Sequence, residues 1–120
     1  MQNAPSPRTP TVSVTEITAL LGEPGVTIID FTAAWCAPCH QLTPVLHELA
    51  AEYTGRAKLL VIDVENHADL AQAFKVTAMP TMVLMRDGRE VGRMVGLRPK
   101  KVVAGALDKA LAGGVAITGG

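Results

Sequence analysis

The stretch Val26-Thr27-Ile28-Ile29-Asp30-Phe31-Thr32-Ala33-Ala34-Trp35-Cys36-Ala37-Pro38-Cys39-His40 decides the fold. Val26 to Phe31 is β-branched and almost wholly apolar, the composition of a central strand buried on both faces. Pro38 suits the first turn of a helix, where its missing N–H leaves no hydrogen bond unmade. Beyond it, Leu42, Val45, Leu46, Leu49, Ala50 and Tyr53 recur at helical spacing up to Gly55. Pro44 lies within that helix and should kink it. Two cysteines thus stand where a buried strand passes into a helix N-terminus.

Working outward, Lys58 to Val64 predicts a second buried strand. Asn66 or His67 opens a short helix with Leu70, Ala71 and Phe74 inward. Thr81 to Met85 and Glu90 to Val95 flank an Asp87-Gly88 turn and predict a hairpin. Pro99 opens a last helix carrying Val102, Val103, Ala106, Leu107, Ala110 and Leu111. Upstream, Thr11 to Val14 alternates like a short edge strand, and Thr15 caps a brief helix with Ile17, Leu20 and Leu21 on one face. Gly22-Glu23-Pro24-Gly25 breaks that helix. Residues 1–10, with three prolines, read as a disordered N-terminal arm, residues 11–112 as one domain, and residues 113–120 as a flexible tail. The order β-α-β-α-β-α-β-β-α predicts an α/β fold, a mixed sheet flanked by helices on both faces.

A chain of 120 residues holds one domain, and 48% hydrophobic content supplies a core. With only 3% aromatic residues, that core must be aliphatic. Eleven basic residues balance eleven acidic ones, so no field of one sign gathers nucleic acid or anionic lipid. Apolar runs stop at strand length, short of the ~18 residues that span a membrane. The N-terminus shows no apolar signal segment, which leads to the expectation of a cytoplasmic protein.

In a reducing compartment, two cysteines only three positions apart are there for chemistry, because a disulfide between them closes almost no loop. A thiol attacks a disulfide as the thiolate, and a helix N-terminus favours that anion. Cys36 is therefore the expected nucleophile and Cys39, one turn into the helix, the resolving thiol. Asp30 is an ionisable residue among Ile28, Ile29 and Phe31, which argues against a solvent-facing edge position. The run Cys36-Ala37-Pro38-Cys39-His40 is also the C-x-x-C-H spacing of haem c attachment, with His40 as proximal ligand. Two cysteines with His40 and His47 also offer four zinc ligands, although one helix wraps poorly round a tetrahedron; His47 and His67 read better as surface helix residues.

Four features together decide between these readings. Asp30-Phe31, Trp35-Cys36-Ala37-Pro38-Cys39, Pro44 within the helix and Met79-Pro80-Thr81 resemble the thioredoxin family over roughly Thr11 to Leu111, and Gly96 fits as well. The resemblance implies a protein-disulfide reductase that needs no cofactor beyond a redox-active Cys36–Cys39 disulfide and binds no metal. It implies Asp30 as a buried carboxylate behind Cys39, relaying a proton through water. It makes Pro80 a cis-proline beside the cysteines, with the Met79 backbone binding an extended client segment. Trp35, Ala37, Pro38, Ala78 and Gly96 complete the client-binding surface. The implied partners are thioredoxin reductase and disulfide-containing proteins, with neither nucleic acid nor membrane, for a chain acting as a monomer.

The chain also departs from the family. Val61 stands where many members place a lysine beside the buried carboxylate, so desolvation should raise the Asp30 pKa further. Ala37 replaces the usual glycine, Thr32 a common tryptophan, and His40 a lysine or arginine. The dipeptide between the cysteines tunes reduction potential in this family; Pro38 is retained and implies a reducing enzyme. Two rival readings keep the fold: a binding module with idle cysteines, and a periplasmic reductase serving cytochrome maturation, whose usual anchor is not seen.

Overall fold

The computed structural model describes Ala19, residues 22–113 and the backbone of residues 118–119. Its elements are β1 (Val26–Thr32), α1 (Ala37–Glu52), β2 (Ala57–Asp63), α2 (Ala68–Ala73), β3 (Thr81–Arg86), β4 (Arg89–Val95), α3 (Lys100–Leu111) and β5 (Thr118–Gly119). The expected strand at Thr11 to Val14, and all but Ala19 of the expected helix after it, lie outside the described residues.

The sheet runs β2-β1-β3-β4-β5. β1 pairs parallel with β2 and antiparallel with β3, and β3 pairs antiparallel with β4, which is the mixed sheet expected. The hairpin turns at Asp87 and Gly88, both at positive φ (52° and 83°), the backbone that an Asp-Gly pair adopts readily. Asp87 also accepts the Gly25 N–H at 2.8 Å, tying the hairpin turn to the start of β1. The sheet gains one further short strand at the C-terminus. Thr118 and Gly119, placed in a flexible tail, pair parallel with Arg93 and Met94 of β4.

Side chains alternate across β1, so its two faces feed two cores. Val26 and Ile28 pack with Met82, Leu84 and Met94 under Leu42, Leu46 and Leu49 of α1 and Val103 and Leu107 of α3. Ile29 and Phe31 pack on the other face with Leu60, Ile62 and Val83, covered by Ala71, Leu70 and Phe74 of the α2 region. The large members of both cores are nearly all aliphatic, as the low aromatic content requires. Asp30 follows Ile28 by two residues and therefore faces α1.

Two finer expectations are corrected. Val102 sits on the solvent side of α3 (38% exposed), because the helix needs only Val103, Ala106, Leu107 and Ala110 to cover the sheet. His47 is half-buried rather than on the surface, and its Nε2 is enclosed without a hydrogen-bond partner among the described residues. The Tyr53 hydroxyl, at the end of α1, donates to Asp108 of α3 at 2.7 Å and joins the two helices that cover the same face.

Candidate active site at the start of α1

β1 delivers the chain to a turn at Ala34 and Trp35, and α1 begins immediately after Cys36. Cys36 is the N-cap, in extended conformation, with Ala37 and Pro38 as the first two helical residues. No side-chain oxygen caps this helix. Instead the Cys36 sulfur accepts the Cys39 N–H at 3.3 Å, so the backbone donor that would hold a thiolate is already aimed at it. Cys36 and Cys39 are joined in a disulfide, with Cα atoms 5.3 Å apart. Cys36 is 4% exposed and Cys39 is fully buried, so the two residues differ in access. The more accessible one is the expected nucleophile, and the enclosed one is the expected resolving thiol.

Ala33, buried beside the pair, accepts the Cys36 N–H at 3.1 Å, and Val64 and Met79 pack against the same cluster. The Met79–Pro80 peptide is cis, and Pro80 is buried. Gly96, at φ +92°, donates its N–H to the Pro80 carbonyl at 2.8 Å, which ties the end of β4 to this loop. Ala78 is exposed, and its carbonyl accepts the Thr81 hydroxyl at 2.7 Å. Met79 thus packs against the cysteine cluster, and Gly96 is bonded to the Pro80 that follows it. Trp35, Ala37 and Pro38 are exposed, Trp35 with 66% of its surface in solvent.

Asp30 is fully buried, and neither of its carboxyl oxygens has a hydrogen-bond partner among the described residues. Its direct neighbours in the sheet are Val61 on β2 and Met82 on β3, so the position that the family often gives to a lysine is held by an apolar side chain. Burial pushes the Asp30 carboxyl up to about 7, with the nearby Thr43 hydroxyl a smaller opposing influence. That hydroxyl donates to the Cys39 carbonyl at 2.9 Å, which leaves burial as the governing cause. Thr43 therefore stands beside both the carboxyl and the resolving cysteine, one turn along α1. The motifs of the sequence point to neither Thr43 nor Ala33. The i, i+4 spacing from Cys39 to Thr43 is the available signal.

The haem and zinc alternatives do not fit this geometry. Both sulfurs are bonded to each other, and the Nε2 of His40 lies 2.7 Å from the Ala34 carbonyl. Among the described residues, no cluster of three or more His, Cys, Asp or Glu side chains is placed to hold a metal ion.

A thioredoxin family model matches residues 12–109. The chain belongs to the thioredoxin family. It is 44% identical over 89 residues to a thioredoxin of Staphylococcus aureus, covering 74% of this chain and 86% of that one. Its structure is similar to oxidised mitochondrial thioredoxin 3 of Saccharomyces cerevisiae (TM-score 0.72, 36% identity, covering 79% of this chain and 89% of that one). It is also similar to a mutant thioredoxin from Halobacterium salinarum (TM-score 0.76, 33% identity, covering 89% of this chain and 95% of that one). Its activity is thiol–disulfide exchange at the Cys36–Cys39 centre, as a protein-disulfide oxidoreductase. No helix among the described residues is long and apolar enough to cross a membrane.

Proposed function

We propose that this thioredoxin-family chain reduces protein disulfides in the cytoplasm, with Cys36 as nucleophile, Cys39 as resolving thiol and Asp30 as proton relay. The observation that carries the reading is the pairing of a slightly exposed cysteine at the helix N-cap with a fully buried one, whose carbonyl is bonded by the same Thr43 that stands beside the buried Asp30 carboxyl.

In the reduced protein, the Cys36 thiolate attacks one sulfur of a client disulfide, and the other client sulfur leaves as a thiolate. The product is a mixed disulfide between Cys36 and the client. Cys39 then gives its proton to the Asp30 carboxylate, through water where the two do not meet directly. The resulting Cys39 thiolate attacks Cys36 Sγ and expels the second client thiolate. Two client thiols and the Cys36–Cys39 disulfide remain, and Asp30 returns its proton to solvent. A second dithiol must then reduce the pair, and by family resemblance it belongs to an NADPH-dependent thioredoxin reductase.

The client segment is held, in this reading, by the backbone of Met79 beside Pro80 and by apolar contact with Trp35, Ala37, Pro38, Ala78 and Gly96. Extended backbone recognition of this kind is indifferent to client sequence. Cys36–Cys39 is the only redox-active group the scheme needs, with no bound cofactor.

Insulin reduction driven by dithiothreitol tests the proposal. Wild type should accelerate precipitation of the insulin B chain, and Cys36→Ser should not. Equal rates in the two proteins would sink it.

A further inference from the structure

His40 is the one residue of the Cys36–His40 run to which the exchange chemistry gives no task. Its position shows one. Its Nε2 lies 2.7 Å from the Ala34 carbonyl oxygen, six residues back on the far side of the dithiol. A carbonyl oxygen only accepts, so Nε2 carries the hydrogen and the ring is the donor. His40 also donates its backbone N–H to the Cys36 carbonyl at 3.3 Å, while Cys36 donates to Ala33 at 3.1 Å. Three hydrogen bonds thus close a ring of backbone and imidazole around the turn that carries Trp35.

The Ala34 carbonyl belongs to an exposed residue and could be satisfied by water, so the bond is not needed to rescue a buried polar group. Its effect is on order. Trp35 has two-thirds of its surface in solvent, so packing holds it weakly, and the turn beneath it is short. An imidazole fixes two side-chain torsions to make this contact. A lysine or arginine, common here in the family, would have to order a longer stem to do the same.

We infer that His40 is a positioning residue for client docking: its imidazole braces the Ala34–Trp35 turn against the first turn of α1 and holds Trp35 in the orientation that meets the client. The inference rests on the proposed role of Trp35 in client binding. The brace acts on binding rather than on sulfur chemistry, so its loss falls on KM more than on kcat. A single exposed hydrogen bond changes a local equilibrium by about three- to tenfold.

Trp35 is the only tryptophan in the chain, so time-resolved fluorescence anisotropy reads the turn without interference. His40→Ala should speed the local depolarisation of Trp35 and raise KM for insulin about three- to tenfold, with a smaller change in kcat. His40→Gln places an amide N–H at the same reach and should restore both readouts to within about twofold. Unchanged depolarisation or unchanged KM in the alanine variant overturns the brace. So does a glutamine variant as impaired as alanine. A wild type that does not reduce insulin refutes the proposed function instead, and the anisotropy of the three proteins then decides the brace alone.

Discussion

Replacing Asp30 with asparagine removes the one buried ionisable carboxyl among the described residues of the core. The carboxyl is fully buried, without a hydrogen-bond partner among the described residues, and burial lifts it from an ordinary value of 3.8 to about 7. Below pH 4 both folded and unfolded chains hold the proton, and ionisation contributes nothing to stability. Between pH 4 and 7 the unfolded chain releases the proton while the folded chain keeps it, so stability falls by about 1.36 kcal/mol per pH unit. Above pH 7 both are ionised and the loss levels off. A rise from 3.8 to about 7 at that rate makes the full loss about 4 kcal/mol.

Asparagine is close in shape and never ionises, so it keeps the cost of burying an unpartnered polar group but lacks the pH-dependent loss. Urea unfolding of the oxidised protein, followed by far-UV circular dichroism from pH 4 to 9, measures the difference. Asp30→Asn and wild type should be about equally stable at pH 4. The variant should be more stable by about 4 kcal/mol at pH 8, with most of the difference arising between pH 4 and 7. Comparing the two proteins at each pH cancels every other titrating group. A stability difference that stays flat across this range, or an Asp30 carboxyl titrating near 4 by carbon NMR, refutes the reasoning. The same variant should resolve mixed disulfides more slowly at every pH, because it has no proton acceptor.

Three further perturbations follow from the same geometry. Val61→Lys sets an ammonium directly opposite Asp30 in the sheet and should lower the carboxyl's midpoint by about 1–3 units, read by carbon NMR; an unmoved midpoint means the two side chains do not face each other. Leu46→Ala empties a site 1% exposed beneath α1 and should cost about 2–5 kcal/mol in urea unfolding. Gly96→Ala meets no atom within 4 Å of its new Cβ, so only the backbone at φ +92° resists it, and the loss should stay near about 1–2 kcal/mol. A larger loss would mean that the Gly96–Pro80 bond had broken as well.

The described core elements are legible in the sequence because each announces itself by one local rule. β1 is a β-branched apolar run, α1 a helical repeat behind a proline, and the hairpin an Asp-Gly turn between two strand-length segments. Even the Asp30–Val61 pairing, a contact between residues 31 apart, can be read, because the family pattern fixes the register of β1 on β2. What escapes are contacts that no spacing rule encodes. The Arg86 guanidinium donates to the Leu111 carbonyl at 3.0 Å at the end of α3, and Arg93 reaches the Phe74 carbonyl at 2.8 Å across the β4–α2 interval. Both depend on how long side chains thread between elements after the fold is set. Val102 misleads for a simpler reason: periodicity gives the width of an apolar stripe only to within about one residue. The short β5 pairing is invisible because two residues carry too little pattern to distinguish a strand from a tail.

The positions where this chain departs from its family bear on energies rather than on geometry, and their combined effect at Asp30 can be argued from proton affinities. A proton relay works when donor and acceptor are close in affinity. A free thiol holds its proton with a pKa near about 8.5, so transfer to a carboxylate at 3.8 would run uphill by about 6 kcal/mol. At a carboxyl pKa of about 7 the same transfer costs only about 2 kcal/mol. A lysine at residue 61 would stabilise the carboxylate and widen that gap again. With Val61 in its place, burial governs the affinity, with Thr43 a smaller opposing influence. In the proposed relay, the apolar residue at 61 therefore makes Asp30 a stronger base toward Cys39, at the cost of stability above about pH 4, and the two effects are inseparable because both come from the same desolvated carboxyl.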